Sequence, residues 1–205
     1  QMRLAGLDKM CLIPQDYLSE AGCTPVTNEE VKRLVDLRPD EFIGFAAVDP
    51  HDLEAPDKLE HAFADLDLRG LNLHPGRQRF YPMDGCVQGL YDICERYNRP
   101  VMFHTGMSWE PHTLAKYGRP VEFEELAETR PRLRFCLGHF GWPWLEEAAM
   151  LMVKHKNVYA DTGLLYFDSA REFYAHLFTR ELPSTWIDRS LRHQVMFGSD
   201  SPRFE

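Results

Sequence analysis

Three residues stand where chemistry would gather. Val101-Met102-Phe103 rises out of Arg99-Pro100 into His104-Thr105-Gly106, Leu133 to Gly138 runs into His139 before Phe140-Gly141, and Val195 to Ser199 runs into Asp200 before Ser201-Pro202. Each run is apolar as a strand buried on both faces would be, and each delivers a polar side chain at its C-terminal tip. Imidazoles and a carboxylate brought together from parallel strands are what a metal-assisted site needs, with zinc the first expectation for such donors and manganese the second. The competing reading of Asp200 is a helix N-cap before Ser201-Pro202.

Other side chains qualify less directly. His74 ends the run Leu71-Asn72-Leu73, yet His74-Pro75-Gly76 also makes a turn, so it serves either the turn or a substrate. Asp161-Thr162 ends another run, where it supports the site by hydrogen bonds or caps a following helix. The irregular stretch Met107 to Pro120 is long enough to cover a substrate, and Trp109 and His112 on it are candidate substrate contacts. Arg77 could receive a substrate carboxylate with its two-pronged guanidinium. The remaining histidines, His51, His61, His155, His176 and His193, fall on helix or loop patterns and are expected in solvent.

The elements that must position these residues alternate without a break. Strand patterns over Lys9–Pro14, Phe42–Val48, Leu71–His74, Val101–His104, Leu133–His139, Asn157–Thr162 and Val195–Asp200 are separated by helix patterns. Thr27-Asn28-Glu29-Glu30 forms a capping box with Val31, Leu34 and Val35 on one face, and Asp84 is placed to cap a helix ending near Tyr97. Strict alternation of this kind predicts a parallel sheet with helices outside. A (β/α)8 TIM barrel fits best; an open doubly wound sheet is second, because no glycine-rich phosphate loop follows an early strand. Seven strands are one short of closure, and Gln1 to Gly6 resembles the last turn of a helix. The expectation is a single barrel domain over 1–205, truncated at both ends, lacking its first strand and last helix.

Bulk properties narrow the function. The 205 residues, 44% hydrophobic, suffice for one sizeable core. A net charge of −9 argues against nucleic acid, since no basic stripe is present to neutralise phosphates. The five cysteines include an odd one, and Cys11 and Cys136 sit in strand-like runs, which suggests reduced core residues and a cytoplasmic protein. No run approaches a membrane span, so the expected partner is a small molecule.

Four runs together carry a family resemblance. Gly70-Leu71-Asn72-Leu73-His74-Pro75, Arg99 to Gly106, Pro131 to Gly141 and Phe197-Gly198-Ser199-Asp200-Ser201-Pro202 resemble, in order and at fitting intervals, the amidohydrolase-related branch of the amidohydrolase superfamily, a family of metal-dependent barrels that includes decarboxylases and lactone hydrolases. The resemblance implies that His104 ligates the metal, that Asp200 ligates it or holds its water, and that His139 accepts a proton beside that water. Such an ion lowers the pKa of bound water, and a neighbouring imidazole can take the proton. The implied function is a metal-dependent hydrolase of a small cyclic ester, amide or carboxylated substrate; non-oxidative decarboxylation on the same site is the alternative, and a metal-free binding barrel the second. The family's His-x-His pair, which supplies two further ligands, matches nothing in these residues and is expected upstream of Gln1. Dimers are common in the family, so a homodimer is the assembly allowed for.

Overall fold

Strand pairing follows chain order throughout the computed structural model, which describes residues 2, 6–163 and 170–200. The expected helix turn over Gln1 to Gly6 lies largely outside the described residues; Gly6 itself has φ +68°, and the Leu7 N–H donates to the Met2 carbonyl at 3.0 Å. β1 (Met10–Leu12) is followed by α1 (Leu18–Ala21) and α2 (Asn28–Leu37), then by β2 (Phe42–Gly44), which lies parallel to β1 with Met10 opposite Phe42. Both halves of the capping box form: the Thr27 side chain accepts from the Glu30 N–H and Glu30 accepts from the Thr27 N–H. The inward face of α2 is narrower than its sequence pattern. Val31 is buried and Val35 packs on the core, whereas Leu34 is 45% exposed.

After β2 the chain changes partner. The Phe45 N–H donates back to Leu12, and the Ala46 N–H donates forward to Gly70, so β3 (Ala46–Ala47) continues the same strand on its other neighbour. α3 (Ala55–Ala64), β4 (Leu71–Leu73), α4 (Pro75–Gln78), α5 (Gly85–Arg96), β5 (Val101–Phe103), α6 (Glu124–Thr129), β6 (Phe135–Leu137), α7 (Leu145–Lys154), β7 (Val158–Asp161), α8 (Ala170–His176) and β8 (Val195–Met196) complete the chain. The strands from β3 to β8 form one parallel sheet in sequence order. Parallel neighbours require crossover connections, and the helices supply them. This is the expected α/β barrel architecture, in partial form: among the described residues β1 and β8 are not paired with each other.

The two faces of each strand have different work. Leu71, Leu73, Val101, Phe103, Phe135, Leu137, Val158 and Ala160 are fully buried and alternate with the residues that face the other way. Phe103 meets Phe123 edge-on at 4.9 Å, Phe135 at 5.8 Å and Tyr91 of α5 at 6.2 Å, so this face is the layer between sheet and helices. Asp84 stands at the start of α5, but its carboxylate accepts from the Tyr81 N–H instead of capping the helix. Below the strands, the Asn157 amide donates to the carbonyls of Ala127, Arg130 and Leu133, and the Gln194 amide to those of Met152, His155 and Val158.

Two expectations change. Cys11, read as core, is exposed, and among the described residues β1 pairs with β2 alone; Cys94 and Cys136 are the buried thiols. The sequence pattern after β7 predicts an extended helical region from Ser169 to about Arg192, and its described part is broken: after α8 the chain makes two π-type turns, Leu177–Glu181 and Trp186–Ser190, separated at Leu182-Pro183. No described helix is long and apolar enough to cross a membrane.

Candidate functional site

Strand parity decides which side chains meet. In the paired register Asn72 lies opposite Met102, Met102 opposite Cys136, and Cys136 opposite Tyr159. Two residues on, His74, His104 and Asp161 share the same row and the same face, because side chains repeat with period two. The structure brings these tips together. The His74 and His104 rings stack at 3.9 Å with an interplanar angle of 11°, and His104 Nδ1 lies 3.0 Å from His139 Nε2.

His139 reaches the row by an unusual turn. It and Phe140 both have left-handed backbones, φ +58° and +51°, ahead of Gly141 at +66°, and each non-glycine there costs about 1 kcal/mol. Gly138 makes the turn feasible: a Cβ on it would stand 2.8 Å from the Phe103 carbonyl oxygen. Asp161 holds the result in place. Its Oδ1 accepts from the N–H groups of His139 at 3.3 Å and Gly163 at 2.7 Å, and its Oδ2 faces the Cys136 thiol at 3.7 Å. Burial pushes the Asp161 carboxyl above its ordinary range and drives the Cys136 thiol up as well. Of the two readings for Asp161, the hydrogen-bonding one describes its contacts.

These contacts fix the tautomers. His139 Nδ1 is 2.8 Å from the Gly163 carbonyl, which can only accept, so Nδ1 carries the proton. With both rings neutral, His139 Nε2 is then a lone pair, His104 Nδ1 donates to it, and His104 Nε2 becomes the lone-pair nitrogen of that ring. His74 is set from the other side: its Nδ1 accepts from the Arg77 N–H at 3.3 Å, its N–H donates to Gln78 Oε1, and burial lowers its pKa to about 3. His74 therefore stacks on His104 as a neutral ring and caps α4, the turn-forming role.

The remaining candidates lie around this cluster. Asp200 is exposed with φ +55°, and Gly163 separates it from His139: a Cβ on Gly163 would sit 3.7 Å from His139 Nδ1 and 3.8 Å from Asp200 Cβ. The Arg77 guanidinium is 3.6 Å above the Tyr17 ring, donating to Glu20 at 3.0 Å and Glu110 at 2.6 Å. Trp109 is 44% exposed and His112 is exposed with φ +66°, both on the loop from Met107 to Pro120. His155, expected in solvent, is buried where α7 ends, and His51 Nε2 is 2.6 Å from the Gln78 carbonyl. Sequence reading missed Gln78, whose amide ties Asp16 and Val48 beneath His74, and Glu110. The spacing from His74 to Gln78 was the available signal for the first.

A divalent ion would find few donors among the described residues. One exposed carboxylate and one lone-pair imidazole nitrogen, with His139 Nε2 engaged by His104, make an incomplete set, and no group of three His, Cys, Asp or Glu side chains among the described residues could hold a metal. The described residues alone do not fit a closed metal site.

Comparison with known proteins gives the arrangement its context. The Amidohydro_2 family model, described as amidohydrolase, matches residues 19–205. None of the curated proteins compared matches the chain. Among solved structures, an uncharacterised TIM-barrel protein of Bordetella bronchiseptica is similar at 22% identity and TM-score 0.79, over 98% of this chain and 68% of that one. A probable 2-pyrone-4,6-dicarboxylic acid hydrolase of Acinetobacter baumannii with bound citric acid is similar at 15% and 0.67, over 100% and 72%. A 5-carboxyvanillate decarboxylase of Novosphingobium aromaticivorans with bound manganese is similar at 18% and 0.63, over 98% and 69%. At these identities the likeness is one of fold.

Proposed function

This chain belongs to the amidohydrolase family, and from that premise we propose that it hydrolyses a small cyclic ester, amide or carboxylated substrate, with His139 as its proton acceptor. The observation that carries the reading is the hydrogen-bonded His104–His139 pair at the tips of β5 and β6. A water attacking a carbonyl must lose a proton as its oxygen bonds to carbon. His104 Nε2 presents a lone pair, and its Nδ1 proton can pass to His139 Nε2, so the pair spreads one positive charge over two rings. The same proton then returns to the leaving oxygen or nitrogen. Asp161 holds the His139 backbone, and Gly163 holds its ring in the tautomer this transfer needs.

His104 Nε2 is also the nitrogen of this cluster that would hold a zinc or manganese ion, with Asp200 as the candidate carboxylate; an ion there would occupy the lone pair used above and leave His139 alone as the proton acceptor. The manganese of the Novosphingobium protein supports a divalent ion for this chain as well. The described donors do not complete a site for it. Decarboxylation is the second reading, favoured by the same pair: a proton held between two imidazoles can be delivered to a carbon from which CO2 departs.

The test supplies the protein, with zinc or manganese added, with 2-pyrone-4,6-dicarboxylate and 5-carboxyvanillate in parallel. Ring opening supports hydrolysis and CO2 release supports decarboxylation. Inertness toward a panel of carboxylated lactones and phenolic acids, with binding retained, would replace the enzyme reading by a metal-free binding barrel.

A further inference from the structure

We propose that Arg77 is the carboxylate-recognition residue of this site and that Glu110 is an internal carboxylate which the substrate displaces from it. The proposal rests on the reading of a carboxylated substrate given above. Arg77 is built into the site at its backbone, since its N–H donates to His74 Nδ1, and its guanidinium lies over Tyr17, whose ring meets His74 edge-on at 6.2 Å. From there the side chain is one aromatic contact away from the His74–His104 stack.

The charge balance around it is uneven. One guanidinium serves two carboxylates, Glu20 through Nε and Glu110 through NH1, with the three side chains only 21%, 23% and 28% exposed. Partial burial leaves the surplus negative charge incompletely screened, so the second carboxylate is held at less than its full worth. Glu110 is the one free to leave. Glu20 lies on α1, whereas Glu110 lies on the loop between β5 and α6, which is fastened independently by Leu114 N–H to Gly76 O, Gly106 N–H to Gly118 O and Met107 N–H to Trp142 O. A substrate carboxylate in its place keeps the charge count unchanged, accepts the same N–H, and releases the loop around Glu110 without unfastening its base.

Calorimetric titration of the full chain with benzene-1,3-dicarboxylate, an unreactive diacid, tests this, with the neutral diamide as control. The E110Q variant should bind the diacid about threefold to tenfold more tightly than the parent, the scale of one partly exposed ion pair. E110Q/R77Q should lose the gain, and the diamide should show none. Equal, weaker or undetectable diacid binding by E110Q overturns the exchange, as does a gain that survives R77Q. If R77Q does not fold, E110Q/R77K decides, because lysine keeps the charge without the fork: a persisting gain overturns the assignment. Binding is read without turnover, so an inert enzyme with this exchange and an active one without it are distinguishable results.

Discussion

At the scale of single residues, the site depends on a chain of forced proton positions that begins at a carbonyl. Gly163 O requires Nδ1–H on His139, which requires Nδ1–H on His104. Imidazole 15N shifts of the folded protein should therefore show the Nδ1–H tautomer for both rings and the opposite one for His74; an Nε2–H tautomer at His139 would break the relay. With a substrate in hand, His139→Ala should lower kcat by about 10² to 10⁴, the span for a positioned proton acceptor, while leaving KM near the parent value. An unchanged kcat would reduce His139 to a strand-end histidine. The turn that delivers it is equally specific. Gly138→Ala forces a Cβ against the Phe103 carbonyl and should cost about 1–3 kcal/mol in urea unfolding, and a cost near zero would show that the β5–β6 tips relax freely.

At the scale of elements, the strands were legible because each is an apolar run bounded by turn residues, and Leu71-Asn72-Leu73 or Phe135-Cys136-Leu137 reads the same in sequence as in structure. The Thr27 capping box was legible for the same reason: its partners are three residues apart. Thr27→Ala should accordingly cost about 1 kcal/mol by urea unfolding, and no loss would mean that α2 is held by Val31 packing alone. What could not be read depends on distant partners. The strand changes partner at Phe45 because the Phe45 N–H bonds Leu12 on one side and the next N–H, that of Ala46, bonds Gly70 on the other. Cys11 is exposed although it lies within a strand, and Asp84 turns from its helix to Tyr81. The left-handed pair His139-Phe140 carries no glycine signal of its own; Asp161, 22 residues on from His139, helps to hold it. His104 and His139 were visible as strand tips, but their contact with each other needed the register of three strands.

At the scale of the molecule, the described fold has a hydrogen-bonded floor and a polar rim. Asn157 and Gln194 tie loops beneath β7 and β8, while the polar tips converge above. Gln194→Ala removes an amide shared by three buried carbonyls and should cost about 2–3 kcal/mol, yet leave the imidazole shifts of His104 and His139 unmoved. Changed shifts would mean that floor and rim are one unit. Metal affinity tests the rim as a whole. A divalent ion held tightly by protein needs several preset donors, and each missing donor subtracts directly from the binding free energy. The described residues gather no set of three. Residues 1–205 prepared as they stand should therefore give up zinc or manganese on dialysis and show less than one equivalent by elemental analysis. His104→Ala should lower even that residue, since it removes the lone-pair nitrogen of the cluster. Stoichiometric zinc surviving dialysis would overturn this expectation, and loss of the His104–His139 hydrogen bond in the zinc-loaded protein would show that the imidazoles rearrange around the ion.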